Sequence, residues 1–174
     1  MGGQDKGLQL HQGLSLFEHV LARLGPQVAD LRVSANRNLA RYARSGFPVL
    51  ADGQAAGSGP LTGIATLLAA CPLPWLLTVP VDAPLLPADL CVRLLRTAED
   101  QHASIVVADD GQRAQPLFAL YRSTLAEAAA LAIADGERAV WRFQEAKAAT
   151  RADFSDQPGA FLNLNHASDL LPGS

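Results

Sequence analysis

At 174 residues, with 49% apolar and 18% charged side chains, the chain is sized for a single domain over 1–174, and its composition excludes a disordered polymer. A net charge of −3 excludes the broad basic surface that a nucleic-acid backbone demands, so a polyanionic ligand has to be held locally. Cys71 and Cys91 are too far apart for a Cys-x-x-Cys pair and read as small buried hydrophobes of a reducing compartment; no signal peptide or membrane span is indicated, and a cytoplasmic protein is expected.

Short apolar runs alternate with segments of helical period, the pattern of an α/β layer fold. Ser15 followed by Glu18 forms a capping box; Leu16, Val20, Leu21 and Leu24 then line one helical face, and Gly25-Pro26 ends it. A strand is predicted over 31–34 and another over 47–50. A glycine-rich loop over 52–59 leads into a helix carrying Leu61, Ile64, Leu67 and Leu68 and ended by Pro72. The run 75–79 is almost wholly apolar and bounded by prolines, which predicts a central strand covered on both faces. It breaks at Pro80-Val81-Asp82-Ala83-Pro84. A helix from about Pro87 turns Leu90, Leu94 and Leu95 inward. Strands over 104–108 and 117–121 flank Asp110-Gly111, with an insertion too long for a tight hairpin. Thr124 with Glu127 caps a helix ending near Gly136, and a short helix over 140–143, a strand before Asp153 and the run 161–165 complete the chain.

Ligands of open α/β sheets bind beyond the carboxyl ends of the strands, where helix N-termini and loop amides converge. The polar residues closing the strands are Asn36, Asp52, Asp82, and Asn163 with Asn165. Asp82, held between two prolines after an apolar strand, suits a Mg²⁺ ligand, although a turn-capping aspartate explains it as well. Asp52 and Asn36 read equally as turn residues. The start, Met1-Gly2-Gly3-Gln4-Asp5-Lys6-Gly7, combines glycine amides with a lysine able to neutralise phosphate, or is a tail carrying a chance lysine. Neither the P-loop spacing nor Gly-x-Gly-x-x-Gly occurs. Arg37, Arg41 and Arg44 form a basic helical face that solvation alone can account for.

In order and wording, these segments resemble one family. Met1-Gly2-Gly3-Gln4-Asp5-Lys6-Gly7-Leu8, Ser34-Ala35-Asn36-Arg37, Gly59-Pro60-Leu61-Thr62-Gly63-Ile64, Val79-Pro80-Val81-Asp82-Ala83-Pro84 and Phe161-Leu162-Asn163-Leu164-Asn165 are similar, essentially end to end, to molybdenum cofactor guanylyltransferase. The resemblance implies a three-layer Rossmann-like nucleotidyltransferase fold with a mostly parallel central sheet. It implies transfer of GMP from GTP to molybdopterin with release of pyrophosphate, Mg²⁺ as cofactor, and a monomer in transient contact with other molybdenum-cofactor proteins. Lys6 would hold the triphosphate, Asn36 and Asp52 the nucleotide, and Asp82 both nucleotide and Mg²⁺. Gly59 to Leu61 would form part of the guanine pocket, with Arg138, Asn163 and Asn165 on the pterin side.

Two departures accompany the resemblance. The family places a strand and Leu-Ala-Gly-Gly ahead of the segment with which this chain starts, so the start is expected to be the second half of a phosphate-binding loop. Gln115 stands where a histidine is often found. A cytidylyltransferase acting on the same pterin, a sugar-phosphate nucleotidyltransferase and a non-catalytic molybdopterin carrier are the alternatives.

Overall fold

Ser15 opens the first helix as its spacing to Glu18 predicts. In the computed structural model, which describes residues 5–51 and 59–162, the Ser15 hydroxyl accepts from the Glu18 amide at 3.2 Å and the Glu18 carboxylate accepts from the Ser15 amide at 2.7 Å. Two amides that helix geometry leaves unbonded are thereby satisfied reciprocally. The Ser15 hydroxyl and amide hold the Glu18 carboxyl below the ordinary carboxylate range. Just before α1 (Leu16–Leu24) the chain makes a small antiparallel hairpin of β1 (Leu10–His11) and β2 (Leu14–Ser15), which the sequence reading did not anticipate. Its turn residues Gln12 and Gly13 both have positive φ, the geometry that matches strand twist in two-residue hairpins.

The remaining elements follow in alternation: β3 (Val33–Ser34), α2 (Leu39–Tyr42), β4 (Val49–Leu50), α3 (Pro60–Ala69), β5 (Trp75–Thr78), α4 (Leu90–Asp100), β6 (Ile105–Asp109), β7 (Ala114–Arg122), α5 (Ala126–Ala134), α6 (Val140–Ala146) and β8 (Thr150–Asp153). β3 and β4 pair in parallel as a two-stranded sheet, and the four-stranded sheet has the order β5-β7-β6-β8. β5, β6 and β8 share one direction and β7 runs against them, so the sheet is mostly parallel in sense with one reversed strand.

Side-chain alternation on β6 and β7 divides the interior into two cores. Val106, Ala108, Phe118 and Leu120 face one side, with Val20 and Leu24 of α1 and Leu90, Leu94 and Ala98 of α4. Ile105, Val107, Ala119 and Tyr121 face the other, with Leu61, Ile64 and Leu68 of α3, Ala129 of α5 and Phe143 of α6. Period two in the strands and a spacing of three to four in the helices thus produce the expected three layers. The Tyr121 hydroxyl, buried among apolar groups, is satisfied by the Gln144 amide at 2.6 Å.

Several expectations are corrected. β5 ends the four-stranded sheet instead of lying within it; of its residues only Thr78 is fully buried, because the other edge of β5 faces a cleft. That cleft, about 290 Å³, lies between β3 and β5 and is lined largely by apolar residues of α1, β3 and β5. Cys71 and Cys91 also line it; both are half-buried and neither forms a disulfide. β7 begins at Ala114, so only residues 110–113 separate it from β6 and the connection is a tight turn after all. The Asp110 carboxylate makes this possible by accepting from the Gln112 and Arg113 amides at 2.8 and 2.9 Å. Thr124 is not a helix cap: a 3₁₀ turn, Ser123–Leu125, precedes α5, and the N-cap position falls to Leu125, which makes no side-chain cap. Among the described residues no helix is long and apolar enough to cross a membrane.

Leu94 is 0% exposed at the centre of the α1/α4 core. Leu94→Ala is expected to cost about 2–5 kcal/mol, lost contacts plus an incompletely collapsed cavity, measured as a lowered urea midpoint at unchanged m-value.

Candidate active site at the strand ends

A second, more polar cleft of about 620 Å³ opens where β3 and β5 end, at the N-terminus of α3. Lys6, Asn36 and Asp82 all line it, together with Asp5, Ser34 and the Gly59-Pro60 entry to α3. Three residues widely separated in sequence are therefore brought to one edge of the fold, Asn36 and Asp82 as the strand-end argument predicts and Lys6 from the 3₁₀ turn beside them. Asp52, Asn163 and Asn165 lie outside the described residues.

Each element places its side chain for a local reason. The pairing of β5 with β7 runs up to Thr78 opposite Ala119, and the Thr78 hydroxyl donates towards the Leu117 and Ala119 carbonyls at 3.0 and 3.2 Å. Prolines at 80 and 84 then stop the strand, with Ala83 and Pro84 buried, so the intervening Asp82 is carried on an anchored turn. Asp82 itself is half-buried. Burial pushes its carboxyl up; a backbone hydrogen bond and the Lys6 ammonium pull it down, and the Asp5 charge pushes it up again.

Lys6 starts a single 3₁₀ turn, Lys6–Leu8, closed by the Leu8 amide on the Asp5 carbonyl at 3.1 Å and the Gln9 amide on the Lys6 carbonyl at 3.0 Å. Lys6 is exposed, whereas Gly7 is buried. A Cβ at Gly7 would come within 2.8 Å of both the Tyr42 hydroxyl and the Val81 side chain, so only glycine lets this loop lie against the Asp82 turn.

Asn36 follows β3 and is exposed; Arg37, Arg41 and Arg44 are exposed as well, but they do not form one helical face, since Arg37 precedes α2, Arg41 lies on it and Arg44 belongs to the 3₁₀ turn that follows. At the opposite wall, Gly59 has φ +88 and Pro60 occupies the first turn of α3, the position where a missing N–H costs nothing. Arg138 does not line the cleft. Its guanidinium donates to the Ile133 and Glu137 carbonyls at 2.7 Å each, closing the C-terminal end of α5. Its backbone nevertheless borders the site, since a Cβ on Gly59 would lie 3.2 Å from the Arg138 carbonyl oxygen.

Three contributors escaped the sequence reading. Asp5 accepts from the Tyr42 hydroxyl at 2.8 Å and from the Asn38 side-chain amide at 2.9 Å. Burial and then the Asp5 carboxylate push the Tyr42 hydroxyl up, so it stays a donor at any ordinary pH. These pairs join residues more than thirty positions apart, and no local pattern announces them.

Among the described residues, no group of three or more His, Cys, Asp or Glu side chains gathers to hold a metal by itself. One half-buried carboxylate with a second close enough to raise it suits a hard cation that takes its remaining ligands from water and phosphate oxygens.

Residues 1–150 match the family model described as the MobA-like NTP transferase domain. The chain belongs to this family. It is 46% identical over 170 residues to the molybdenum cofactor guanylyltransferase of Pasteurella multocida strain Pm70, covering 98% of this chain and 90% of that one. A protein of the same name from Acidovorax sp. strain JS42 is 46% identical over 184 residues, covering 98% and 87%. Among solved structures, molybdopterin-guanine dinucleotide biosynthesis protein A from Archaeoglobus fulgidus superposes with a TM-score of 0.76 at 19% identity, over 97% of this chain and 88% of that chain. The 2-C-methyl-D-erythritol 4-phosphate cytidylyltransferase of Thermus thermophilus gives 0.72 at 21% identity, over 95% and 90%. These two likenesses establish the nucleotidyltransferase fold. The chain is a nucleotidyltransferase, with its strand-end cleft where that fold places ligands.

The raised Asp82 carboxyl has a thermodynamic signature. A folded state that holds a proton more tightly than the unfolded chain loses stability as pH rises from the ordinary aspartate value, about 3.9, through the raised one. In metal-free buffer, Asp82→Asn should remove that part of the loss: melting curves from pH 4 to 7 are expected to show a smaller decline for the variant than for the wild type.

Proposed function

We propose that this protein transfers GMP from GTP to molybdopterin, forming the guanine dinucleotide cofactor and releasing pyrophosphate. The observation that carries the reading is the convergence of Lys6, Asn36 and Asp82 on one cleft at the head of α3, in a chain 46% identical to proteins named for that reaction. The soluble-enzyme setting we propose is cytoplasmic and monomeric, with transient delivery and hand-over of pterin to other molybdenum-cofactor proteins.

The chemistry suits these residue types. A terminal phosphate oxygen of molybdopterin attacks the α-phosphorus of GTP; the new oxygen–phosphorus bond forms as the bond to the bridging α–β oxygen breaks, and pyrophosphate departs with that electron pair. The nucleophile is already an anion, so no general base is required, and that no histidine lines the cleft among the described residues is no obstacle. Lys6 would neutralise the triphosphate, Asn36 and Asp52 would hold the nucleoside, and Asp82 would hold both nucleotide and Mg²⁺. When bound, Mg²⁺ supplies charge neutralisation at the reacting phosphates. Gly59 to Leu61 would border the guanine. Asn163, Asn165 and the Arg138 loop would take the pterin, which for Arg138 requires its guanidinium to leave the end of α5. Catalysis on this reading is positioning and electrostatics.

Lys6→Ala and Asp82→Ala are each expected to lower pyrophosphate release by at least about 10²-fold, the scale of losing one charge-stabilising group, with circular dichroism unchanged. A chelator should abolish turnover and added Mg²⁺ restore it. In a panel of GTP, CTP, ATP and UTP with molybdopterin, GTP should dominate; a preference for CTP would replace the guanylyl assignment with the cytidylyl one.

A further inference from the structure

Lys6 is exposed, and the residues on either side of it are tied to α2. Asp5 has both carboxylate oxygens engaged from α2, one by the Tyr42 hydroxyl at 2.8 Å and the other by the Asn38 amide at 2.9 Å. Gly7 presses on the same hydroxyl, leaving no room for a Cβ. The tyrosine therefore touches the chain immediately before and immediately after the lysine.

The hydroxyl is itself held rigidly. The Tyr42 ring is 3% exposed and meets Phe17 of α1 edge to face, ring centroids 4.9 Å apart. Phe17 and Val33 share its cluster, with Val81 of the Asp82 turn packed against them. One aromatic ring thus takes its orientation from α1, lies beside the Asp82 turn, and passes that placement to the lysine loop. Asn38 enters α2 with φ +53, a left-handed conformation that asparagine tolerates better than most residues, and this directs its amide at the same carboxylate.

We infer that Tyr42 is a positioning residue, which, through Asp5 and Gly7, holds Lys6 at the phosphate side of the cleft. The role deepens the nucleotidyl-transfer reading and rests on it. The hydroxyl limits the excursions of the Lys6 backbone, so less chain freedom is lost when a phosphate is bound.

Tyr42→Phe removes the hydroxyl and keeps the ring on Phe17. Calorimetric titration of wild type, Tyr42→Phe and Arg93→Ala with GTP, inorganic triphosphate and guanosine separates the possibilities, with Arg93→Ala, which loses its bonds to Asp156 beyond β8, reporting loss of stability at the opposite end of the sheet from the cleft. We expect Tyr42→Phe to bind GTP and triphosphate at least about tenfold more weakly, the scale of one hydrogen bond to a charged group. Guanosine affinity should stay within about twofold of wild type, since a role confined to phosphate placement leaves the base site alone. Unchanged triphosphate affinity, or a parallel loss for guanosine, overturns the positioning role while leaving the nucleotide site intact. If Tyr42→Phe does not fold, Asn38→Ala removes the second bond to Asp5 and should give the same phosphate-selective loss; its absence overturns the role. A wild-type protein binding neither GTP nor triphosphate overturns the nucleotide reading and the positioning role together.

Discussion

The pairing of β5 with β7 is the constraint on which the site depends. β5 carries the Asp82 turn, and among the described residues its hydrogen-bonded partner is β7 alone, from Trp75 opposite Arg122 to Thr78 opposite Ala119. β7 runs against every other strand of its sheet, so it bonds β5 on one edge and β6 on the other while its side chains serve both cores. Disturbing the Phe118–Tyr121 stretch would therefore be felt in two hydrophobic layers and at the carboxylate. The guanidinium of Arg122 over the Trp75 ring, 4.3 Å from its centroid, and the Thr78 hydroxyl on the Leu117 and Ala119 carbonyls fasten this ladder at its two ends.

Around that anchored turn the cleft sets charge against burial. Desolvation disfavours an ionised Asp82, and Asp5 adds to the penalty; Lys6 relieves part of it. An arrangement that leaves a carboxylate uncomfortable in the free protein gains when a cation arrives, because the same burial that raises the carboxyl strengthens its attraction for positive charge. The lysine loop and the Asp82 turn lie so close that a Cβ on Gly7 would collide with Val81.

What could be read from the sequence was what local chemistry determines. Ser15 with Glu18, the Leu90 and Leu94 face and the proline-bounded break after β5 depend on neighbours a few positions away, and each is found where expected. Thr124 fails as a cap because a 3₁₀ turn intervenes, a choice made by the packing around α5 and invisible to spacing rules. Trp75 to Thr78 has the composition of a central strand and lies at a sheet end, since neighbour order is settled by non-local pairing. At the site, Asn36 and Asp82 were legible because strand ends converge in this architecture whatever their side chains, whereas Lys6, on a 3₁₀ turn, was legible from the glycine-lysine start and its resemblance. Tyr42 and Asn38 were not: their partner is Asp5, across a stretch of chain that no periodicity spans. Arg138, named from resemblance, borders the cleft by its backbone while its charge is spent on a helix end.

The apolar cleft between β3 and β5 bears on how this molecule behaves in the company of other chains. Among the described residues no strand pairs with the second edge of β5, and a strand edge of that kind offers amides and carbonyls to an extended peptide, with an apolar lining that rewards the one that inserts. Self-association through such an edge grows with concentration and with partial opening of the fold. Devices that discourage it stand at the rim: Pro72 and Pro74 just before β5, and the Arg32–Asp30 ion pair at 2.9 Å beside β3. Prolines and charges at a sheet edge are gatekeepers against strand addition by strangers, and here they guard the place where the sheet is interrupted.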